Sequence, residues 1–111
     1  MRVEELRIGN LVKGIGHDLT WKVEGVDKDF IFSNRHWRII TSFEPIRISD
    51  YYDFNYDFLE INYNNKIRLQ IYKSSNVIVF TANDIFSFED YKVHQLQNLY
   101  FALTGEELEL K

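Results

Sequence analysis

The chain has 111 residues, of which 45% are hydrophobic and 16% aromatic, and it carries a formal net charge of −4. This size and composition predict one folded domain, residues 1–111, and the absence of cysteine excludes disulfides, thiolate chemistry and sulfur-ligated zinc. Because the N-terminus has no apolar signal-peptide core and no apolar run reaches the roughly 20 residues that span a bilayer, we expect a soluble cytoplasmic protein without membrane association.

Charge is unevenly distributed along the chain. Residues 1–49 contain eight Lys and Arg against seven Asp and Glu, whereas residues 50–111 contain five against ten. An acidic second half disfavours non-specific binding to nucleic acid or to anionic lipid. The charge therefore biases the chain against such polyanionic partners.

The first half of the sequence predicts about five short strands, separated by Gly, Asp and Asn. The predicted segments are Leu6–Lys13, Trp21–Val26, Phe30–Phe32, Trp37–Thr41 and Phe43–Ile48. Gly9 lies inside the first segment, where glycine often marks a bulge. A series of this kind predicts a small curled sheet or an SH3-like barrel.

Residues 50–60 fit two periods. Four carboxylates recur at helical spacing and would form an acidic face: Asp50, Asp53, Asp57 and Glu60. The aromatics between residues 54 and 58 alternate instead, as in a strand. We expect a short helical turn at Ser49–Asp53, with Ser49 as its N-cap, and a strand after it.

The strongest strand pattern follows. Tyr56–Tyr63 and Lys66–Tyr72 flank Asn64-Asn65, and asparagine tolerates the positive φ that a hairpin turn requires. Val77–Phe80 then predicts the third strand of a meander, and residues 83–91 a linker to the terminal helix.

Val93–Leu103 is the clearest helix in the sequence. Val93, Leu96, Tyr100 and Leu103 recur at spacings of three, four and three, and Gly105 is placed to end the helix in the left-handed conformation. An isolated helix of eleven residues is marginal, so its apolar stripe must pack on a sheet. The predicted fold is α+β: mainly antiparallel β, an N-terminal curled SH3-like sheet plus a three-stranded meander, with one C-terminal helix.

Three segments also carry a family resemblance. The C-terminal run VHQLQNLYFALTGEEL, residues 93–108, resembles the signature of a family of small uncharacterised proteins encoded by bacteriophages and prophages. Residues 5–12, ELRIGNLV, and 44–48, EPIRI, are similar to its other recurring segments. The resemblance implies a phage or mobile-element context and supplies no activity or catalytic residues.

Two groups of residues are candidates for a binding surface. They are Arg35, Trp37 and Arg38 in the first half, and Tyr51, Tyr52 and Asp53 in the second. Two guanidiniums beside an indole could contact phosphate and stack on a base, although Trp37 fits a core position more simply. The second group mixes aromatics with charge, as protein-recognition surfaces do, although solubility explains the same charges.

Catalytic and metal-binding patterns are weak. His17, His36 and His94 have no ligand spacing, and the carboxylates of residues 50–60 lack the order of a calcium loop. No nucleophile elbow or phosphate-binding loop is present. We therefore expect no enzyme, metal or cofactor, but a protein-binding or accessory module whose partner is a protein; the alternative is a weak nucleic-acid-binding domain using Arg35, Trp37 and Arg38.

Overall fold

A computed structural model describes residues 1–16, 19–51 and 58–108 and confirms the α+β class. Its strands are β1 (Leu11–Gly14), β2 (Thr20–Lys22), β3 (Gly25–Asp27), β4 (Phe30–Ser33), β5 (His36–Ile39), β6 (Phe43–Glu44), β7 (Phe58–Tyr63), β8 (Ile67–Tyr72), β9 (Val77–Phe80) and β10 (Ile85–Phe88). The α-helices are α1 (Ile48–Tyr51) and α2 (Val93–Thr104), and Val3–Glu5 and Ile40–Ser42 form 3₁₀ turns.

The strands form three antiparallel sheets, in the orders β2-β1-β6, β3-β4-β5 and β10-β9-β8-β7. Two buried clusters hold them together. The larger cluster packs α2 on the four-stranded sheet, and the smaller one comprises Leu6, Val12, Val23, Ile31 and Phe43.

The N-terminal half differs from the predicted single curled sheet. The first strand begins at Leu11 and not at Leu6, because Gly9 has φ +98° and the Asn10 side chain accepts a hydrogen bond from the Arg7 amide at 2.7 Å. A side chain that bonds its neighbouring backbone in this way favours a turn over a strand. Residues 6–10 therefore form a turn.

The predicted strand Trp21–Val26 is also split in two. The Val23 amide donates to the Asn10 carbonyl at 2.8 Å, whereas the Glu24 amide donates to the Phe32 carbonyl at 2.9 Å. The chain thus leaves one sheet at Val23 and joins the next at Glu24. The predicted strand at residues 37–41 is shortened in a similar way, because β5 ends at Ile39 and a 3₁₀ turn follows.

The helical turn before the meander begins one residue earlier than predicted. α1 starts at Ile48, so Ser49 lies inside the helix and is not its N-cap. The predicted continuation through Tyr52 and Asp53, and the start of the following strand at Tyr56, lie outside the described residues.

The meander has four strands where three were predicted. Asn64 and Asn65 have φ of 50° and 57° and turn β7 into β8, which confirms the predicted hairpin. β10, however, lies within the predicted linker of residues 83–91 and pairs with β9 over four consecutive residues. The linker prediction was wrong because the alternation of Ile85 and Ser87 with two phenylalanines is only four residues long.

α2 covers one face of this sheet, as predicted. Val93, Leu96 and Tyr100 are buried, Leu103 packs against the same cluster, and Gly105 ends the helix with φ +74°. Within the described residues, neither α-helix combines the length and the apolar character that a bilayer crossing needs.

The polar side of α2 binds the turn before β1. Gln97 accepts a hydrogen bond from the Leu11 amide at 2.8 Å and donates one to the Gly9 carbonyl at 3.0 Å. Asn98 donates to the Glu5 carbonyl at 2.9 Å and accepts from the Asn10 amide side chain at 2.8 Å. These bonds fix the N-terminal sheets to the helix of the C-terminal sheet.

Three segments that were singled out in the sequence, residues 5–12, 44–48 and 93–108, meet at this helix. Residues 5–12 contain the turn that Gln97 and Asn98 hold, and the Val93 amide donates to the Ile46 carbonyl in residues 44–48 at 2.9 Å. Arg7 also pairs with Glu107 and lies 4.2 Å over the ring of Phe101. The three segments therefore form a structural joint, which we call the α2 joint.

Candidate functional site

The outer face of the β3-β4-β5 sheet presents a row of apolar side chains. The register pairs Phe30 with Ile39 and Phe32 with Trp37, so these four side chains share one face. Three of them, Phe30, Trp37 and Ile39, are exposed. The opposite face of the same sheet buries Ile31. We call this exposed row the outer aromatic face.

Trp37 has a defined place on this face. Its ring centroid lies 5.2 Å from that of Phe32, and the rings are tilted by 52°. Gly25 on the neighbouring strand leaves space for the indole, because a Cβ there would lie 3.6 Å from Trp37 Cη2 and 3.3 Å from Phe32 Cβ. The Trp37 side chain is nevertheless 53% exposed, so its interpretation as a core residue was wrong.

A shallow groove of about 260 Å³ crosses the outer aromatic face. Asp27, Phe30 and Trp37 line it. Among the described residues, Asp27 makes no ion pair, so its carboxylate adds an uncompensated negative charge to an apolar groove. Such a groove suits an apolar side chain with a basic group beside it.

Arg38 does not join Trp37. Alternation along β5 places the two side chains on opposite faces, and the Arg38 guanidinium lies 4.6 Å over the ring of Trp21. Arg35 lies in the turn between β4 and β5 with φ +69°, next to the pair Ser33 and His36. The predicted set is therefore divided: Trp37 and Arg38 lie on opposite faces of the sheet, and Arg35 lies in the turn.

Arg38 instead lines a larger groove of about 570 Å³. Trp21 and Phe43 form one wall in edge-to-face contact, with centroids 6.3 Å apart, and Ile15 and Leu19 are exposed at the rim. The groove combines apolar walls with one guanidinium, and no carboxylate is found among the described residues that line it.

Of the second predicted group, the structure describes Tyr51, which lines neither of these grooves. Tyr51 is partly buried and packs against the larger core cluster. Tyr52 and Asp53 lie outside the described residues. The structure therefore describes only Tyr51 from this group, and it describes a packing role.

The predicted acidic helical face does not form within the described residues. Asp50 at α1 pairs with Arg47 at 3.2 Å, and Glu60 on β7 pairs with Arg68 at 3.3 Å. In the part of the chain that is described, no three His, Cys, Asp or Glu residues are grouped to hold a metal ion.

The described histidines have unrelated surroundings. His36 is exposed on β5, and His17 lies outside the described residues. His94 is only 2% exposed at the start of α2, with Nε2 3.8 Å from Glu5 Oε1, and neither ring nitrogen has a hydrogen-bond partner among the described residues. Burial lowers the pKa of His94, since an imidazolium loses hydration there. Its prediction as a helix-surface or hydrogen-bonding residue was wrong.

Comparisons with known proteins identify no relative. No family model matches the chain, and no curated protein or solved structure matches it either. The geometry of the described residues is therefore the basis for a functional proposal.

Sequence reasoning missed Asp27, Phe30 and Ile39 as members of the candidate site. The signal was the spacing around the turn at residues 33–35: a tight turn there pairs Phe32 with Trp37 and Phe30 with Ile39. A strand pair of this kind places its aromatic side chains on one face and Ile31 and Arg38 on the other, but the sequence does not state which face is covered. The exposed face is a property of the three-dimensional packing.

Proposed function

We propose that the chain is a non-enzymatic protein-binding or accessory module of a phage or mobile element, and that the outer aromatic face binds the protein partner. The observation that supports it most is the exposure of Phe30, Trp37 and Ile39 together on one sheet face. Isolated exposed apolar residues are ordinary, whereas a contiguous row of large ones is typical of an interaction site. Tryptophan is also enriched among the residues that dominate binding energy.

The partner surface has a definite chemistry in this proposal. It presents an apolar side chain to the groove between Phe30 and Trp37 and a Lys or Arg side chain to Asp27. The rigid support of Trp37 by Phe32 and Gly25 favours binding, because little side-chain entropy is lost when the partner docks.

The phage context rests on the resemblance of residues 5–12, 44–48 and 93–108 to a phage-encoded family. Because these segments build the α2 joint, the resemblance supports a shared fold more than a shared binding surface. It lends the outer aromatic face no support of its own.

The non-enzymatic part of the proposal rests on the dispersal of reactive side chains. Among the described residues, neither of the two grooves of about 570 and 370 Å³ is lined by His36 or Asp50. An enzyme needs a base or nucleophile held within hydrogen-bond reach of its substrate.

Nucleic-acid binding is the second candidate. The exposed indole of Trp37, next to the turn that carries Arg35, favours it, since an exposed indole stacks on bases. Arg38 adds little to this surface because its guanidinium covers Trp21 on the other face.

The proposal is tested by substituting the outer aromatic face. The immobilised chain is incubated with host extract, each retained protein is identified and purified, and its affinity is measured for wild type, Trp37→Gln and Ile39→Gln. Ile8→Ser is the matched control, because Ile8 is equally exposed but lies in the N-terminal turn. We expect at least about a tenfold loss of affinity in the two face variants and none in the control.

Single-stranded DNA and RNA are assayed in parallel at two salt concentrations. Salt-sensitive binding that is lost in Arg35→Ala would favour the second candidate. A purified partner that binds the Trp37→Gln and Ile39→Gln variants as tightly as wild type would contradict the outer aromatic face as the contact surface. Circular dichroism of each variant verifies that the fold is retained.

A further inference from the structure

β10 is an unprotected edge strand. It stands at the end of the order β10-β9-β8-β7, and no backbone hydrogen bond joins its free edge to any residue in the described ranges. Ile85 is 69% exposed and Phe86 47% exposed. Since neighbouring side chains in a strand point to opposite faces, both faces of this edge are apolar.

β10 is short, at four residues, but other devices that block a sheet edge are absent from it. Residues 85–88, IFSF, contain no proline and no lysine, and four consecutive pairs with β9 leave no bulge. An open, apolar edge is a template for pairing with another strand, and natural proteins ordinarily obstruct it. The free edge of β10 is therefore available for pairing with a further strand.

Carboxylates stand at both ends of this strand. Asp84 precedes it, Glu89 and Asp90 follow it, and all three are exposed. In the part of the chain that the structure describes, none of the three makes an ion pair. The free edge is thus an apolar strand between uncompensated negative charges.

These charges determine which kind of strand can pair favourably with the free edge of β10. A second copy paired through β10 would bring Asp84 against Glu89 of the other copy, or like against like in the parallel arrangement, and both are repulsive. A basic segment meets attraction at both ends instead. The same carboxylates thus disfavour self-association and favour a basic strand.

We propose that β10 is a second interaction surface, which accepts an extended segment of a partner protein, apolar at its centre and basic at its ends, as a fifth strand of the sheet. Backbone hydrogen bonds to the free edge give the affinity, and Ile85, Phe86 and the flanking carboxylates give the selectivity. This surface belongs to a different sheet from the outer aromatic face and does not depend on it.

The test uses synthetic peptides with the full chain. One peptide has a Val-Thr-Val-Thr-Val centre with two lysines at each end, and the other replaces the lysines by glutamates. NMR titration gives the affinity, and hydrogen exchange gives the protection of the β10 amides. We expect the lysine peptide to protect the β10 amides that face away from β9, and to bind about tenfold more tightly than the glutamate peptide.

Two sets of variants separate the edge from its charges. Phe86→Lys obstructs the edge and is expected to abolish binding of the lysine peptide. Replacing Asp84, Glu89 and Asp90 by their amides is expected to remove the preference between the peptides. The triple variant Glu4→Gln/Asp29→Asn/Glu106→Gln is the charge-matched control, because it also removes three exposed carboxylates but none beside β10, and it is expected to leave the preference in place.

Three results would overturn the proposal. The first is that the lysine peptide binds but the β10 amides are not protected from exchange. The second is that wild type binds the two peptides with equal affinity. The third is that wild type sediments as a dimer whose β10 amides are already protected in the absence of peptide. None of them bears on the partner of the outer aromatic face, which is measured with Trp37→Gln.

Discussion

The hydrogen bonds of Gln97 give the sharpest prediction about stability. Its side chain is 4% exposed and joins α2 to the turn before β1 by accepting from the Leu11 amide and donating to the Gly9 carbonyl. Gln97→Ala leaves both backbone groups without a partner. Each orphaned group costs about 1–2 kcal/mol in a partly buried setting, so the free energy of unfolding should fall by about 2–4 kcal/mol.

That loss is large for a chain of this size. Domains are stable by about 5–15 kcal/mol, so urea unfolding should show a clear shift in midpoint. Ala102→Gln is the matched control, because Ala102 is exposed on the same helix, and it should change stability by less than about 0.5 kcal/mol. Hydrogen exchange at the Leu11 amide should accelerate in Gln97→Ala at a fixed denaturant concentration.

Gln97→Glu tests the direction of each hydrogen bond. An ionised carboxylate still accepts from the Leu11 amide but faces the Gly9 carbonyl with a second oxygen, which is repulsive. Protonation restores a donor, so the deficit relative to wild type should shrink as the pH falls from 7 towards 4.5. A Gln97→Ala variant within 0.5 kcal/mol of wild type, or a Gln97→Glu deficit independent of pH, would refute the role of this side chain.

Two further predictions concern the ends of α2. Burial holds the pKa of His94 below its ordinary value near 6.5, so the unfolded state binds the proton more strongly than the folded state does. Stability that is present above pH 6.5 is therefore lost as the pH falls towards the folded-state pKa. Urea titrations between pH 7.5 and 5 should show that the free energy of unfolding changes by at most about 1.4 kcal/mol per pH unit, and this slope should disappear in His94→Gln and persist in His36→Gln. Gly105→Ala should lower the free energy of unfolding by about 1 kcal/mol because φ is +74° at this position, and the effect is one of backbone strain since no heavy atom lies within 4 Å of an added Cβ. Gly105→Asn should lower the free energy of unfolding by less. Equal stability of wild type and the alanine variant would contradict this.

The sequence predicted α2 well because its signals are local and redundant. Apolar spacing, length and a terminal glycine all indicate the same helix, and its cover of the meander follows from the apolar stripe. The polar bonds of Gln97 and Asn98 were not predictable in the same way. They connect residues more than 80 positions apart, and the sequence around a helical glutamine does not indicate which backbone amide or carbonyl its side chain will bond to.

The errors in the N-terminal half have a common physical origin. Val23 and Glu24 follow a strand pattern, yet one bonds to the first sheet and the other to the second, so a single periodic segment became two strands. Hydrophobic periodicity indicates which side chains share a face, but it does not predict which strand lies next to them. The exposure of Trp37 was missed for the same reason, since the pattern favours burial of its aromatic face whereas the structure buries the face that carries Ile31.

The α2 joint uses most of its polar side chains within the protein itself. Gln97 bonds to the backbone of Gly9 and Leu11, and Asn98 bonds to the Glu5 carbonyl and the Asn10 side chain. Arg7 pairs with Glu107. A residue whose hydrogen-bonding groups already have partners has few free donors or acceptors with which to bind a ligand. His94 is an exception within these segments, because neither of its ring nitrogens has a hydrogen-bond partner among the described residues, but its burial keeps a ligand away from it. Exposed groups without partners in the described ranges include Asp27 beside Trp37 and the free edge of β10. Recognition is therefore expected outside residues 5–12, 44–48 and 93–108.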